Sequence, residues 1–145
     1  MNRKDFLSKS CLTCAGIVFG GSMLSTLSSC SPLPVFKTIA SNKLIEVDFM
    51  NFSPEKNQLV VKCKGMDFDI LLIKKKDGSF NALYMMCTHE RQPLGATNKG
   101  LYCSSHGSAF DLEGNVTIQP ATKSLTKFQT TVINQKVIIN LNNNI

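Results

Sequence analysis

The chain has 145 residues, of which 43% are hydrophobic, and it contains no tryptophan. This length suits one small domain with its own core plus a targeting segment, and two domains would be hard to fit. The first nine residues carry +2 of the formal charge of +6, so the remainder has only a mild basic excess. Nucleic-acid binding is excluded, since it needs a concentrated basic face with stacking aromatic side chains.

The first 29 residues are predicted to form an export signal. A basic start that contains Arg3, Lys4 and Lys9 precedes an uncharged stretch, residues 10–36, that is apolar chiefly between Leu12 and Leu27. Positive charge followed by apolar residues is typical of a segment that engages the inner membrane. Inside that segment, Cys11 and Cys14 are interpreted as hydrophobic filler, although their spacing is also that of redox motifs.

The run Leu27-Ser28-Ser29-Cys30 resembles a bacterial lipobox, in which the cysteine is acylated and the chain is cut just before it. This resemblance implies a lipid on Cys30, export to the cell envelope, and a membrane-anchored protein that faces the periplasm. An uncleaved membrane anchor is the alternative, but glycines and serines repeatedly interrupt the roughly 20 apolar residues that spanning requires. The run Arg3–Leu7 is similar to a twin-arginine export motif with Lys4 replacing its second arginine, which leaves the export route open.

Residues 30–43 are predicted to be a tether, because Pro32 and Pro34 oppose regular structure there. Beyond them, short runs of β-favouring residues recur without helical periodicity. The predicted strands are 44–49, 59–64, 68–74, 80–85, 100–103, 116–118, 127–133 and 136–141. The fold is therefore predicted to be all-β, with residues 44–141 as one domain and 142–145 as a frayed tail.

Two polar runs between predicted strands are interpreted as hairpin turns. Lys74-Lys75-Lys76-Asp77-Gly78 is the densest basic run, and docking to an acidic redox partner is its alternative role. The second turn is Asn134-Gln135. Cys63 lies in an apolar strand, where a small core residue is the better interpretation.

Both histidines of the chain fall in two short motifs, Cys87-Thr88-His89 and Cys103-Ser104-Ser105-His106. Each motif supplies one thiol and one imidazole. In a mixed-ligand [2Fe–2S] centre, two thiolates hold one iron and two imidazoles hold the other, so this pairing indicates iron–sulfur electron transfer. A tetrahedral zinc site is the alternative, because zinc accepts the same ligands. A disulfide between the two cysteines is a rarer one.

The second motif continues as His106-Gly107-Ser108-Ala109-Phe110-Asp111, followed by Gly114-Asn115-Val116 and later by Pro120-Ala121. Over Cys87–Ala121 the sequence resembles the Rieske [2Fe–2S] family. The resemblance implies an antiparallel β-sandwich or barrel with a small cluster-binding subdomain. It further implies that Cys87 and Cys103 hold a buried iron, that His89 and His106 hold an outer iron, that Ser108 donates a hydrogen bond to the cluster, and that Pro120 lies in the loop that covers it.

The sequence departs from high-potential members of this family at three positions. Gln92 and Ser105 stand where those members have two bridging cysteines, and Phe110 stands where they have a tyrosine that donates to a ligand sulfur. A lost hydrogen bond of about 1 kcal/mol corresponds to roughly 40 mV, since a tenfold change is about 59 mV for one electron. We therefore expect a potential in the lower half of the roughly −150 to +300 mV range.

The resemblance and the export signal together predict a membrane-tethered one-electron carrier, or the small subunit of a larger oxidoreductase, with no substrate-converting site of its own. A quinol-oxidising subunit of a cytochrome bc-type complex is an alternative. Glu90 and Arg91 disfavour it, because charge at this tip opposes insertion into an apolar quinone pocket. A lipoprotein with a structural zinc site is the remaining alternative.

Overall fold

The computed structural model describes residues 32–53 and 55–144, which form β-strands and turns with no α-helix. The strands are β1 (Val35–Ile39), β2 (Leu44–Asp48), β3 (Gln58–Lys64), β4 (Ile70–Lys74), β5 (Phe80–Tyr84), β6 (Gly95–Thr97), β7 (Gly100–Tyr102), β8 (Ala109–Phe110), β9 (Val116–Ile118), β10 (Lys127–Ile133) and β11 (Lys136–Asn144). Among the described residues, one 3-10 turn, Phe49–Asn51, follows β2, and the Asp48 carboxylate accepts a hydrogen bond from its Met50 N–H. The prediction of an all-β fold is confirmed.

Seven strands form one sheet in the order β1-β3-β4-β5-β10-β11-β2. All of its pairings are antiparallel except β1 with β3, which are parallel. The sheet is nearly closed. Its end strands β1 and β2 follow one another in the chain, and a bridge pairs Ser41, just after β1, with Leu44 of β2. Its enclosed core, here called the first core, includes Ile45, Val61, Ile70, Leu72 and Ile139.

A smaller sheet has the order β6-β7-β8-β9 and is antiparallel throughout. It packs on the opposite face of β4 and β5, where Leu71, Leu83, Leu101 and Phe110 form the second core. Because β4 has a core on each face, all four residues from Ile70 to Ile73 are buried. The second core also contains the side chains of both motif cysteines, Cys87 and Cys103.

The longer predicted strands and both hairpin turns are confirmed to within a few residues. Between β4 and β5 the chain turns at Gly78 with a φ of +83°. Between β10 and β11, Asn134 and Gln135 have φ values of +47° and +62°, which is the left-handed pair that a two-residue hairpin requires. Cys63 is buried in the first core, as predicted.

The structure contains three strands that the sequence did not predict, and one predicted strand is longer than expected. Residues 35–39 were expected within the tether but form β1, which begins directly after Pro34, a position where an edge strand tolerates proline. Strands β6 and β8 contain three and two residues, too few for alternation to show. Strand β11 continues to Asn144 rather than ending at Leu141.

The predicted export signal, the lipobox with Cys30, and Cys11 and Cys14 lie outside the described residues. In the part of the chain that is described, there is no helix with the length and apolar character needed to cross a membrane.

Candidate metal centre

The two motifs form two loops at the same end of the small sheet. The first loop, residues 87–94, connects β5 to β6, and the second loop, residues 103–108, connects β7 to β8. In the first, the Cys87 N–H donates to the Gln92 carbonyl at 2.8 Å and the Arg91 N–H donates to the Cys87 carbonyl at 2.9 Å. The first loop therefore ends at β6 and the second begins from β7, its partner in the small sheet, and each loop starts with a cysteine.

The second loop repeats this hydrogen-bond pattern. The Cys103 N–H donates to the Ser108 carbonyl at 2.8 Å, and the Gly107 N–H donates to the Cys103 carbonyl at 3.0 Å. In both loops the fourth residue after the cysteine has a positive φ, +45° at Arg91 and +81° at Gly107. The two loops thus share one backbone framework although their sequences differ.

The two thiols lie together beneath the loops. Cys87 and Cys103 are 1% and 2% exposed, and the Cys87 thiol hydrogen-bonds to the Cys103 sulfur. Burial raises the pKa of Cys103, but hydrogen bonds from the N–H groups of Ser105 and His106, from Cys87 and from the Ser105 hydroxyl outweigh it. The pKa of Cys103 therefore lies below its ordinary value. This environment favours the thiolate, the form that binds metal.

The two imidazoles lie on the opposite, solvent side of the loops. The ring centroids of His89 and His106 are 5.0 Å apart and the rings are nearly perpendicular, at 88°. Both side chains are exposed. The Glu90 Oε2 atom is 3.7 Å from the His106 Nδ1 atom, and side-chain ligand atoms of His89, Glu90 and His106 all lie within 4.8 Å of one another.

A third segment, residues 119–124, is hydrogen-bonded to both loops. The Thr88 hydroxyl of the first loop donates to the Lys123 carbonyl at 2.6 Å. The buried Ser108 hydroxyl oxygen, at the end of the second loop, accepts from the Ala121 N–H at 2.9 Å. Pro120, which follows a cis peptide bond, is exposed in this segment. The third segment therefore connects the two loops at their bases.

The structure brings all four predicted metal ligands into one place, with sulfurs inside and imidazoles outside. A model of the Rieske [2Fe-2S] domain matches residues 45–129. The chain belongs to the Rieske [2Fe–2S] family. The match covers both loops and the third segment, so the Rieske domain includes the whole site described above.

Solved Rieske structures share the fold. A chain in the complex of reduced oxygenase and oxidized ferredoxin in carbazole 1,9a-dioxygenase is 21% identical with a TM-score of 0.52, covering 69% of this chain and 94% of that one. The apo form of the quaternary ammonium Rieske monooxygenase CntA is 20% identical with a TM-score of 0.54, and the match covers 68% of this chain and 33% of that one. A naphthalene 1,2-dioxygenase variant bound to phenanthrene is 17% identical with a TM-score of 0.54, and the match covers 68% of this chain and 26% of that one.

At these identities the likeness concerns the fold alone. This chain spans about a third or less of the length of CntA and of the naphthalene dioxygenase. No curated protein sequence matches the chain.

The Rieske domain implies a [2Fe–2S] cluster, and the side chains present suit one. Two thiols in mutual contact and two imidazoles in mutual contact are the ligand types that such a cluster needs. Their separation into a buried pair and an exposed pair suits two metal ions that differ in ligands. The thiols of Cys87 and Cys103 are free of any disulfide.

Three contacts of the site were not predicted from the sequence. Thr88 appears in the motif without a role, yet its hydroxyl attaches the first loop to the third segment. Ser105, which stands where bridged relatives have a cysteine, hydrogen-bonds to Cys103. Glu90 lies against His106 of the other loop. Each contact either joins segments that are distant in sequence or depends on the conformation of a loop. The spacing of the motif residues indicates none of the three.

Proposed function

We propose that Cys87 and Cys103 hold one iron of the cluster and that His89 and His106 hold the other. The observation that carries this assignment is the convergence of the four side chains, with 1–2% exposure of the two cysteines and exposed imidazoles. When bound, the cluster supplies a reversible one-electron couple. The rest of the chain sets the position, the polarity and the accessibility of that couple.

The backbone of the two loops keeps the ligands in place. Each loop is closed by two hydrogen bonds from its own N–H groups, and the third segment attaches to both. Amide groups of Ser105 and His106 directed at the Cys103 sulfur stabilise negative charge there. A site held this way changes little in geometry when its charge changes, which favours fast electron transfer.

Ser108 is proposed to donate a hydrogen bond to the cluster. Its hydroxyl oxygen accepts from Ala121, and that bond uses a lone pair while the hydroxyl proton remains a donor. Pro120 is proposed to lie in the loop that covers the cluster, since its segment is bonded to the bases of both ligand loops.

The electron is proposed to leave through the imidazoles. His89 and His106 are exposed whereas the two thiols are enclosed by the second core, so a partner protein approaches the imidazoles most closely. The partner is a redox protein or the large subunit of an oxidoreductase. Exposed Glu90 and Arg91 at the same tip disfavour insertion into an apolar quinol pocket.

The reduction potential is proposed to lie in the lower half of the roughly −150 to +300 mV mixed-ligand range. Phe110 is buried beside Leu101 and has no hydroxyl to donate to a ligand sulfur. Gln92 and Ser105 supply no bridging disulfide. A redox titration with a midpoint near the upper limit of the range would contradict this value.

The domain is proposed to be exported and tethered to a membrane by a lipid on Cys30. The support is the sequence: a basic start, an apolar stretch, and Leu27-Ser28-Ser29-Cys30 just before the domain. Because β1 begins at Val35, the tether is proposed to end before that residue rather than at 43.

Two measurements test these proposals. Analysis of the purified full chain is expected to give two irons and two acid-labile sulfides per chain, as the family implies. Zinc in place of iron and sulfide would support a structural metal site instead.

Fractionation of cells that express the full chain is expected to place the protein with membranes, and the C30S variant is expected to be released from them. The matched control C14S, inside the export segment, is expected to remain with membranes.

A further inference from the structure

Glu90 belongs to the first loop but lies beside an imidazole of the second. Its Oε2 atom is 3.7 Å from the Nδ1 atom of His106, a distance within ion-pair range but too long for a hydrogen bond. Both side chains are about half exposed, 56% for Glu90 and 44% for His106. Among the described residues, no other acidic side chain forms such a contact with His89 or His106.

The backbone determines where the Glu90 side chain begins. Glu90 lies between His89 and Arg91 in the chain, and the Arg91 N–H donates a hydrogen bond to the Cys87 carbonyl. Glu90 therefore moves with the first loop, which is held to the third segment through Thr88. The carboxylate therefore stays within a side chain's reach of the imidazoles as long as the loops keep their conformation.

We infer that Glu90 lowers the reduction potential of the site, acting through His106 rather than as a ligand. This inference rests on the proposed function. Two ferric ions, two sulfides, two thiolates and two neutral imidazoles sum to zero charge, so one added electron leaves a net charge of −1. A carboxylate beside the imidazoles repels that added charge and so favours the oxidised state.

Solvent limits the size of the effect. Glu90 is exposed, and water and salt screen charges on exposed groups. We expect neutralisation of Glu90 to change the equilibrium constant for reduction about threefold. For a one-electron couple with about 59 mV per tenfold change, this is about 30 mV.

The experiment is a potentiometric titration of the full chain in detergent, monitored by electron paramagnetic resonance. E90Q is expected to raise the midpoint by about 30 mV, the threefold change above, and E90K by about twice that shift. E90D keeps the charge and is expected to stay close to the parent. In 1 M salt, where the Debye length is about 3 Å, the E90Q shift is expected to fall by more than half.

The matched control is E46Q. Glu46 is an exposed carboxylate on β2, paired with Lys136 at 3.1 Å, and belongs to the seven-stranded sheet rather than to the loops. E46Q is expected to leave the midpoint unchanged. Equal shifts in E46Q and E90Q, or equal shifts in E90Q and E90D, would overturn the inference.

The same titration separates failure of this inference from failure of the proposed function. A parent chain with a reversible one-electron signal and an E90Q midpoint equal to its own would overturn the role of Glu90 alone. A parent chain with no such signal would overturn both.

Discussion

The first and second ligand loops have the same backbone hydrogen bonds but reach them with different residues. At the position with positive φ, the second loop has Gly107 and the first has Arg91. The second loop is attached to the third segment through a buried serine, and the first through an exposed threonine hydroxyl. The comparison indicates that the positions of the two cysteines and two histidines depend on loop closure and attachment, which several residue types can supply.

The two loops also divide the ligands in the same way. Each directs its cysteine into the second core and its histidine to the solvent, although the spacing is C-x-H in one and C-x-x-H in the other. The extra residue of the second loop is Ser105, whose N–H and hydroxyl both hydrogen-bond to the Cys103 sulfur. The loops are therefore alike in closure but differ in spacing, and the extra residue of the second loop contributes hydrogen bonds to its cysteine sulfur.

Removal of either thiol is expected to have the largest effect, because it abolishes one loop's contribution to the cluster. C87S and C103S are each expected to lose more than nine tenths of the bound iron, because a serine hydroxyl stays protonated where a thiolate is required. The measurement is iron per folded chain. The control C63S, in the first core, is expected to retain iron, and a C103S variant with full iron content would contradict the ligand assignment.

A glycine on β7 offers a way to disturb the second loop alone. A Cβ atom at Gly100 would collide with the Phe110 carbonyl oxygen, a backbone atom of β8. G100A is therefore expected to lower the free energy of unfolding by about 3 kcal/mol and to weaken cluster retention, as measured by urea unfolding and iron content.

The matched control for this variant is G95A on β6, beside the first loop. There the added Cβ meets the ring of exposed Tyr102, at 2.6 Å, and that side chain can rotate away. G95A is expected to cost less than about 1 kcal/mol. Equal losses in the two variants would show that backbone crowding at β8 is not the cause.

The two attachments to the third segment are expected to differ in strength. S108A leaves the Ala121 N–H unpaired next to a fully buried position, which costs about 2 kcal/mol. T88V removes the donor to the Lys123 carbonyl, but exposed surroundings let water replace it, so we expect less than about 1 kcal/mol. Urea unfolding of both variants measures the difference, and a larger loss in T88V would reverse the order.

The last comparison concerns the two positions with positive φ. G107A adds a Cβ that meets no atom within 4 Å, so its cost is the backbone preference alone, about 1 to 2 kcal/mol. R91G relieves a similar strain but adds freedom to the unfolded chain, so we expect a change within about 0.5 kcal/mol. If R91G were as destabilising as G107A, the two loops would not share one framework.

The sequence predicts the parts of the molecule that depend on local pattern. The longer strands follow from runs of β-favouring residues, and Asn134-Gln135 follows from turn chemistry. The proposed ligand residues and Gly107 follow from the resemblance to the Rieske motif. The convergence of four distant side chains in the structure agrees with that motif.

Other features depend on tertiary contacts and could not be predicted. Strand β1 exists because β3 offers a parallel edge beside it, and its own proline-rich surroundings predict a tether. The positive φ of Arg91 carries no signal, because an arginine does not mark a left-handed position as glycine does. The contact of Glu90 with His106 arises only when the two loops are brought together.

The most direct test of the account is electron paramagnetic resonance of the full chain, purified without oxygen and reduced with dithionite. A cluster held by two thiolates and two imidazoles predicts a rhombic spectrum with a low average g value, as expected when nitrogen ligates the reducible iron. A silent sample that contains zinc and no iron would contradict it, and would leave the four side chains as a structural metal site.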